Sequence, residues 1–138
     1  MVRQDLRYTQ EHEWVRMEAV VSAPSGAAGA AVIGITDYAQ KALGDITYVE
    51  LPQVGRKLQQ AKEFAVVESA KAASDVFAPV SGAVAEVNSA LADHPELINQ
   101  DPYGEGWLVR LTGVSAAEVA SLLSPQEYEK LIATEESG

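Results

Sequence analysis

Short apolar runs that recur between turn signals from residue 56 to residue 88 constrain the fold of this chain more than any other feature. Two of them, residues 64–68 and 74–77, have the length and residue types of β-strands. Such a pattern favours a small antiparallel barrel or sandwich. Lys71 lies between these two runs, so the sequence predicts it at the turn between paired strands.

A lysine at a hairpin turn extends into solvent on a long flexible stem. Acylation of its amine removes the charge and lengthens the arm, so Lys71 is a candidate for carrying a cofactor. Two simpler interpretations stay open on this segment alone. Lys71 is an ordinary solvated charge in the first, and residues 69–74 form an alanine-rich helical turn in the second.

Several motifs of the chain are similar to those of one family. Residues 66–82 resemble the lipoyl-lysine hairpin of the glycine cleavage system H proteins. Further matching segments follow the family's order: YTQEHEW at 8–14, GITDYAQ at 34–40 with LGDI at 43–46, YVELP at 48–52, and ELINQDPYGEGWL at 96–108. Because these segments cover most of the chain, it is identified as a member of the H-protein family.

The remaining elements are predicted from periodicity and capping residues. Residues 13–35 predict a hairpin with a long loop at about 22–30, which is longer than the tight turn usual in the family. Thr36 predicts the cap of a short helix that runs through Leu43 and ends at Gly44, and residues 46–51 predict a strand. Capping-box spacings that begin at Ser115 and Ser124 predict two C-terminal helices within residues 115–134. Their inward-facing candidates are Val119, Leu122, Leu123, Tyr128, Leu131 and Ile132.

These elements amount to one domain spanning residues 1–138, mainly β, with helices around it. The resemblance implies a sharper architecture: a lipoyl-domain-like flattened antiparallel barrel, or barrel-sandwich hybrid. In it the lipoyl hairpin covers about residues 63–78, a short helix lies in the N-terminal half, and two C-terminal helices pack outside.

Composition excludes several classes of function. Twenty acidic and ten basic residues give a formal charge of −10, which argues against binding nucleic acid or anionic membranes and favours basic protein partners. The chain has no cysteine, and His12 and His94 lie in unrelated segments, so neither a thiol nucleophile nor a metal site is expected. No nucleophile elbow or phosphate-binding loop occurs, and we expect a protein without enzymatic activity.

The resemblance assigns roles to individual residues. It implies lipoate attached by an amide bond to Lys71, with Glu68 and Ser69 presenting the lysine to a lipoylating enzyme. Ala70 and Ala72 flank the lysine, where lipoyl domains of 2-oxoacid dehydrogenases typically carry aspartate before it and biotin carriers carry methionine on both sides.

Two acids match residues near the cleft that receives the loaded arm in the family. These are Glu13 and Asp75. Without the family, Glu13 is an ordinary solvated carboxylate and Asp75 is a cap for the turn.

The function implied is that of a lipoyl carrier serving three enzymes. A pyridoxal-phosphate glycine decarboxylase (P protein) loads the carrier, a tetrahydrofolate-dependent aminomethyltransferase (T protein) unloads it, and dihydrolipoyl dehydrogenase (L protein) reoxidises it. An alternative is a lipoyl donor for 2-oxoacid dehydrogenases, and a purely structural domain with unmodified Lys71 is the simplest case. We expect a monomer in the bacterial cytoplasm, or in the mitochondrial matrix if the chain is a processed eukaryotic form.

Overall fold

The computed structural model of the chain describes residues 3–23 and 26–137. Nine strands are present in this part: β1 Arg7–Tyr8, β2 Glu13–Ala23, β3 Gly26–Ile35, β4 Ile46–Glu50, β5 Lys57–Leu58, β6 Glu63–Ser69, β7 Ala73–Phe77, β8 Gly82–Val87 and β9 Val109–Ser115. The helices are α1 Asp37–Leu43, α2 Leu97–Gln100, α3 Ala116–Ala120 and α4 Pro125–Ser137, with a 3-10 turn at Ser89–Ala92. No helix among these residues is both long enough and apolar enough to cross a membrane.

The strands form two antiparallel sheets. One has the strand order β1-β2-β3-β9-β8-β5 and the other the order β4-β6-β7. The main core takes buried side chains from both sheets, among them Ile33, Val67, Val76 and Leu111. The predicted mainly β, antiparallel fold is confirmed, although no ladder of the described residues joins the two sheets into a closed barrel.

The long loop expected at 22–30 is wrong for residues 22–23 and 26–30, which are strand, and residues 24–25 lie outside the described residues. β2 continues to Ala23 and β3 begins at Gly26, with Ser22 paired to Ala27 and Val21 to Ala28. The Ala and Gly residues of this segment have a composition typical of a loop, but they pair in the ladder between β2 and β3. The reason is that β3 also pairs with β9 on its other side, so tertiary pairing outweighs weak local strand propensity.

The helix ends follow the predicted capping residues. Thr36 caps α1 by accepting a hydrogen bond from the Ala39 amide, and Gly44 ends the helix with a φ of 81°. Ser124 and Glu127 form a reciprocal capping box at the start of α4. Ser115 caps α3, but the capping box predicted there is incomplete. The Glu118 carboxylate accepts hydrogen bonds from the backbone and side chain of Ser81 instead of from the Ser115 amide.

The C-terminal helices lie against the sheet as predicted. Val119 joins the main core. Tyr128 is buried in a second cluster with Leu6, Trp14 and Val32, and its ring stacks on that of Tyr8 at a centroid distance of 4.3 Å. Leu122, Leu123, Leu131 and Ile132 pack partly buried against the two clusters. The helix α2 was not predicted, because four residues without capping side-chain bonds leave no periodic signal.

Candidate functional site

Lys71 occupies the tip of the hairpin formed by β6 and β7. The turn is closed by a hydrogen bond from the Ser69 amide to the Ala72 carbonyl at 2.7 Å. The Ser69 hydroxyl oxygen accepts from the amides of Lys71 and Ala72 at 3.4 and 3.2 Å. Ala70, Lys71 and Ala72 are all exposed. A serine side chain therefore fixes the backbone of the turn while the lysine side chain stays accessible.

The lysine stem passes beside Gly44, the residue that ends α1. A Cβ atom at this position would lie 3.4 Å from Cε of Lys71. Asn99 holds the same segment in place: its side-chain NH₂ donates to the carbonyl of Gly44, and its carbonyl oxygen accepts from the amide of Ile46, both at 2.9 Å. The sequence placed Asn99 in a matching motif but gave it no role, since nothing local indicates contacts with residues more than 50 positions away.

Glu13 begins β2 and is almost fully buried, with 2% of its surface exposed. The Thr9 hydroxyl donates to its Oε1 at 2.6 Å, and the Phe77 amide donates to its Oε2 at 3.2 Å. β7 is an edge strand, so this carboxylate pairs with one of the amides that the sheet leaves without a neighbouring strand. The expectation of an ordinary solvated carboxylate does not fit this geometry.

Burial controls the ionisation of Glu13. Loss of water raises the pKa of its carboxyl from 4.5 to about 7, although the hydrogen bonds from Thr9 and Phe77 act in the opposite direction. The negative charge of Glu11 raises the pKa slightly further. A carboxylate in this setting gains from an incoming cation, because a positive charge would stabilise its ionised form.

A cavity of about 380 Å³ opens beside Glu13. Its walls are mostly apolar side chains, with a few acidic and amide groups; they are formed by Thr9, Glu11, Glu13, Gln60, Ala61, Phe77, Ala78, Pro79 and Leu122. The structure therefore combines an exposed lysine at a rigid turn with a cavity that contains a buried acid at the other end of β7.

Comparison with known proteins gives the family of the chain. The model of the glycine cleavage H-protein family matches residues 6–135. The chain belongs to this family. It is 47% identical to the glycine cleavage system H protein of Carboxydothermus hydrogenoformans, with 98% of this chain and 97% of the relative aligned. The Rubrobacter xylanophilus H protein is 49% identical, with 98% of each covered.

A solved structure supports the same assignment. The crystal structure of a glycine cleavage system H protein from Mycobacterium marinum matches with a TM-score of 0.82 and 38% identity, covering 96% of this chain and 99% of that one. Membership of the H-protein family supports a role as a lipoyl carrier.

The predicted site residues of this H-protein family member do not all lie close together. Lys71 precedes β7, whereas Glu13 accepts from the amide of Phe77 at the far end of β7, six residues further along the chain, which is at most about 20 Å of extended strand. Asp75 is exposed and lines a separate cavity of about 260 Å³ with Glu50 and Val66. Asp75 does not line the cavity of Glu13; it lies opposite Val66 in the ladder and so belongs to the separate cavity instead. A contact between Asp75 and the arm stays a prediction.

Proposed function

We propose that this chain carries lipoate as an amide on Lys71 and serves as the lipoyl carrier of a glycine cleavage system. The observation that supports the proposal most is the exposed Lys71 side chain on a turn whose backbone is fixed by Ser69. A flexible arm that starts from a rigid point searches a limited volume, so it reaches its partners with a smaller loss of entropy.

The residues present suit this cofactor. Formation of an amide on Lys71 needs an accessible amine, and Lys71 is exposed. The exposed alanines on either side leave room for an acylating enzyme. Lipoate, when bound, supplies a disulfide that accepts an aminomethyl group together with two electrons and later releases both. Glu68 and Ser69 would present the lysine, Glu68 through its exposed carboxylate and Ser69 through the turn that it closes.

Glu13 would hold a cationic amine in the cavity at the base of the hairpin. Its two oxygens each accept one hydrogen bond and have a second lone pair available. The apolar wall of Phe77, Ala78 and Pro79 would keep water away from such a group. A group attached to Lys71 would have to run along the length of β7 to reach Glu13.

Three partner enzymes follow from this assignment. The pyridoxal-phosphate glycine decarboxylase releases CO₂ from glycine and loads the carrier, and the aminomethyltransferase passes the one-carbon unit to tetrahydrofolate and frees ammonia. The flavin-dependent dihydrolipoyl dehydrogenase then restores the disulfide by removing two electrons. The carrier itself catalyses no step in this scheme.

Reconstitution tests the proposal. Lipoylated protein is combined with glycine, tetrahydrofolate and the three enzymes, and release of CO₂ is measured for the unmutated protein, Lys71→Arg and Lys62→Arg. Lys62 is an exposed lysine before β6 and serves as the matched control. We expect Lys71→Arg to be inactive and Lys62→Arg to retain full activity. Activity in Lys71→Arg would contradict the proposal, and so would transfer of lipoyl groups to 2-oxoacid dehydrogenase domains without any glycine cleavage.

A further inference from the structure

The three-stranded sheet β4-β6-β7 has an outer face on which most side chains are exposed. Tyr48 lies opposite Glu68 in the ladder between β4 and β6, and Glu50 lies opposite Val66, which in turn lies opposite Asp75 on β7. Val49, Val67 and Val76 point into the core, so alternation along each strand directs these neighbours outward. We call this surface, formed by Tyr48, Glu50, Glu63, Val66, Glu68 and Asp75, the outer sheet face.

The outer sheet face is acidic. Its four carboxylates belong to Glu50, Glu63, Glu68 and Asp75, all of them exposed. None of the four takes part in an ion pair within residues 3–23 and 26–137. Arg56 lines the cavity between them, but its guanidinium donates to the backbone carbonyl of Glu63 at 3.5 Å. These exposed carboxylates are therefore available to pair with basic groups of a partner.

An exposed aromatic ring lies on the same face. Tyr48 has 52% of its surface exposed, and it and Val54 are the large hydrophobic residues exposed in the described part of the chain. Val54 lines a neighbouring cavity that shares Glu50, Arg56 and Phe64 with the cavity of the outer sheet face. An aromatic side chain surrounded by charges is the usual composition of an energetic anchor in a protein interface.

We propose that the outer sheet face docks the enzyme that attaches lipoate to Lys71. Basic side chains of that enzyme would meet the carboxylates, and a pocket on it would receive the ring of Tyr48. This inference rests on the proposed function, because it takes Lys71 as the attachment site.

Distance along the hairpin favours this partner over the enzymes of the carrier cycle. Tyr48 lies opposite Glu68, which precedes Lys71 by three residues, or about 10 Å of strand. The attaching enzyme has to bring the Lys71 amine itself into its active site, so it must contact the protein close to the tip. The three enzymes of the carrier cycle react with the far end of the added arm, so they do not need to bind at this face.

The first experiment measures lipoylation kinetics of the full-length apo protein with a lipoylating enzyme, lipoate and ATP. Tyr48→Ala is expected to lower kcat/KM about tenfold, through a higher KM with kcat unchanged, because an interface anchor contributes to binding and not to the acyl transfer. Tyr48→Phe keeps the ring and is expected to stay within about twofold of the unmutated protein. Thermal unfolding of each variant checks that the exposed substitution leaves the fold intact.

The second experiment tests charge at the same face. Glu50→Gln is expected to lower kcat/KM about threefold at low salt and to weaken its salt dependence, since steering by the face depends on its charge. Glu129→Gln makes the same change on the exposed surface of α4 and is expected to have no such effect. Equal effects of the two variants would show that only net charge matters and would overturn the docking surface.

The outcomes separate the two proposals. If the unmutated protein acquires no lipoate on Lys71, the proposed function fails. If it is lipoylated and Tyr48→Ala reacts with the same kcat/KM, only the docking surface is wrong. The docking surface is also wrong if Tyr48→Ala is lipoylated at the normal rate but, once lipoylated, is slow in glycine cleavage. The face would then bind an enzyme of the carrier cycle and not the lipoylating enzyme.

Discussion

Replacing Glu13 by glutamine should change how the stability of the protein depends on pH. Glutamine keeps the shape of the side chain and the acceptor for the Phe77 amide, but it cannot ionise. The pKa of Glu13 is about 7 in the folded protein and 4.5 in the unfolded chain. This difference corresponds to about 3 kcal/mol of folding free energy.

The sign follows from which state binds the proton more tightly. Because the folded state has the higher pKa, it holds more protons than the unfolded state between pH 4.5 and 7. The contribution of Glu13 to stability is therefore complete below about pH 4.5 and is lost as the pH rises through 7. The free energy of unfolding of the unmutated protein, relative to Glu13→Gln, should fall by most of that 3 kcal/mol between pH 5 and 8.

Urea unfolding followed by tryptophan fluorescence measures this directly, because Trp14 is fully buried in the folded state. Unfolding curves are recorded at pH 5, 6, 7 and 8 for the unmutated protein, Glu13→Gln and the surface control Glu129→Gln. The control should follow the unmutated profile. Parallel profiles for the unmutated protein and Glu13→Gln would refute the claim that burial of this carboxyl controls its ionisation.

Three further predictions concern the carrier role. Lys71→Arg should prevent lipoylation yet change the free energy of unfolding by less than about 0.5 kcal/mol, since an exposed tip residue packs against little; a larger loss in urea unfolding would contradict this. Raising salt should slow association with the three partner enzymes much more than dissociation, because the chain carries a charge of −10; salt-independent association rates would exclude steering. Glu13→Gln should be lipoylated and reoxidised normally, but docking of its loaded arm should be weaker by about 1 kcal/mol, so that it loses the aminomethyl group to water faster without folate and transferase. If mass spectrometry shows that the variant and the unmutated protein keep the aminomethyl group equally long, Glu13 is dispensable for docking.

Local signals in the sequence were enough for the elements that hold Lys71. The hairpin predicted at about 63–78 is present as β6 and β7, because both strands have short apolar runs bounded by turn residues. The end of α1 at Gly44 and the start of α4 after Ser124 were likewise predictable, since capping depends on residues next to one another in the chain.

Features that depend on distant contacts were not predictable in the same way. Residues 26–30 form strand because β2 pairs with all of them and β9 also pairs with Ala28 and Gly29, although their own composition is typical of a loop. The contacts of Asn99 with Gly44 and Ile46, and of Glu118 with Ser81, join segments far apart in sequence. No local pattern indicates such pairs.

The surroundings of the two acidic candidates, Glu13 and Asp75, were likewise not predictable from local sequence. Glu13 is buried and accepts a hydrogen bond from Phe77, 64 residues further along the chain, which the sequence alone does not reveal. Asp75 was placed beside it by resemblance, whereas the two-residue period of β7 turns its side chain to the outer sheet face.

The carrier function depends above all on the modification of Lys71. Mass spectrometry of the intact protein isolated from its native source, followed by peptide mapping, measures it directly. We expect the added mass of one lipoyl group, located on the peptide that contains Lys71. An unmodified protein, or a lipoyl group on any other lysine, would contradict it.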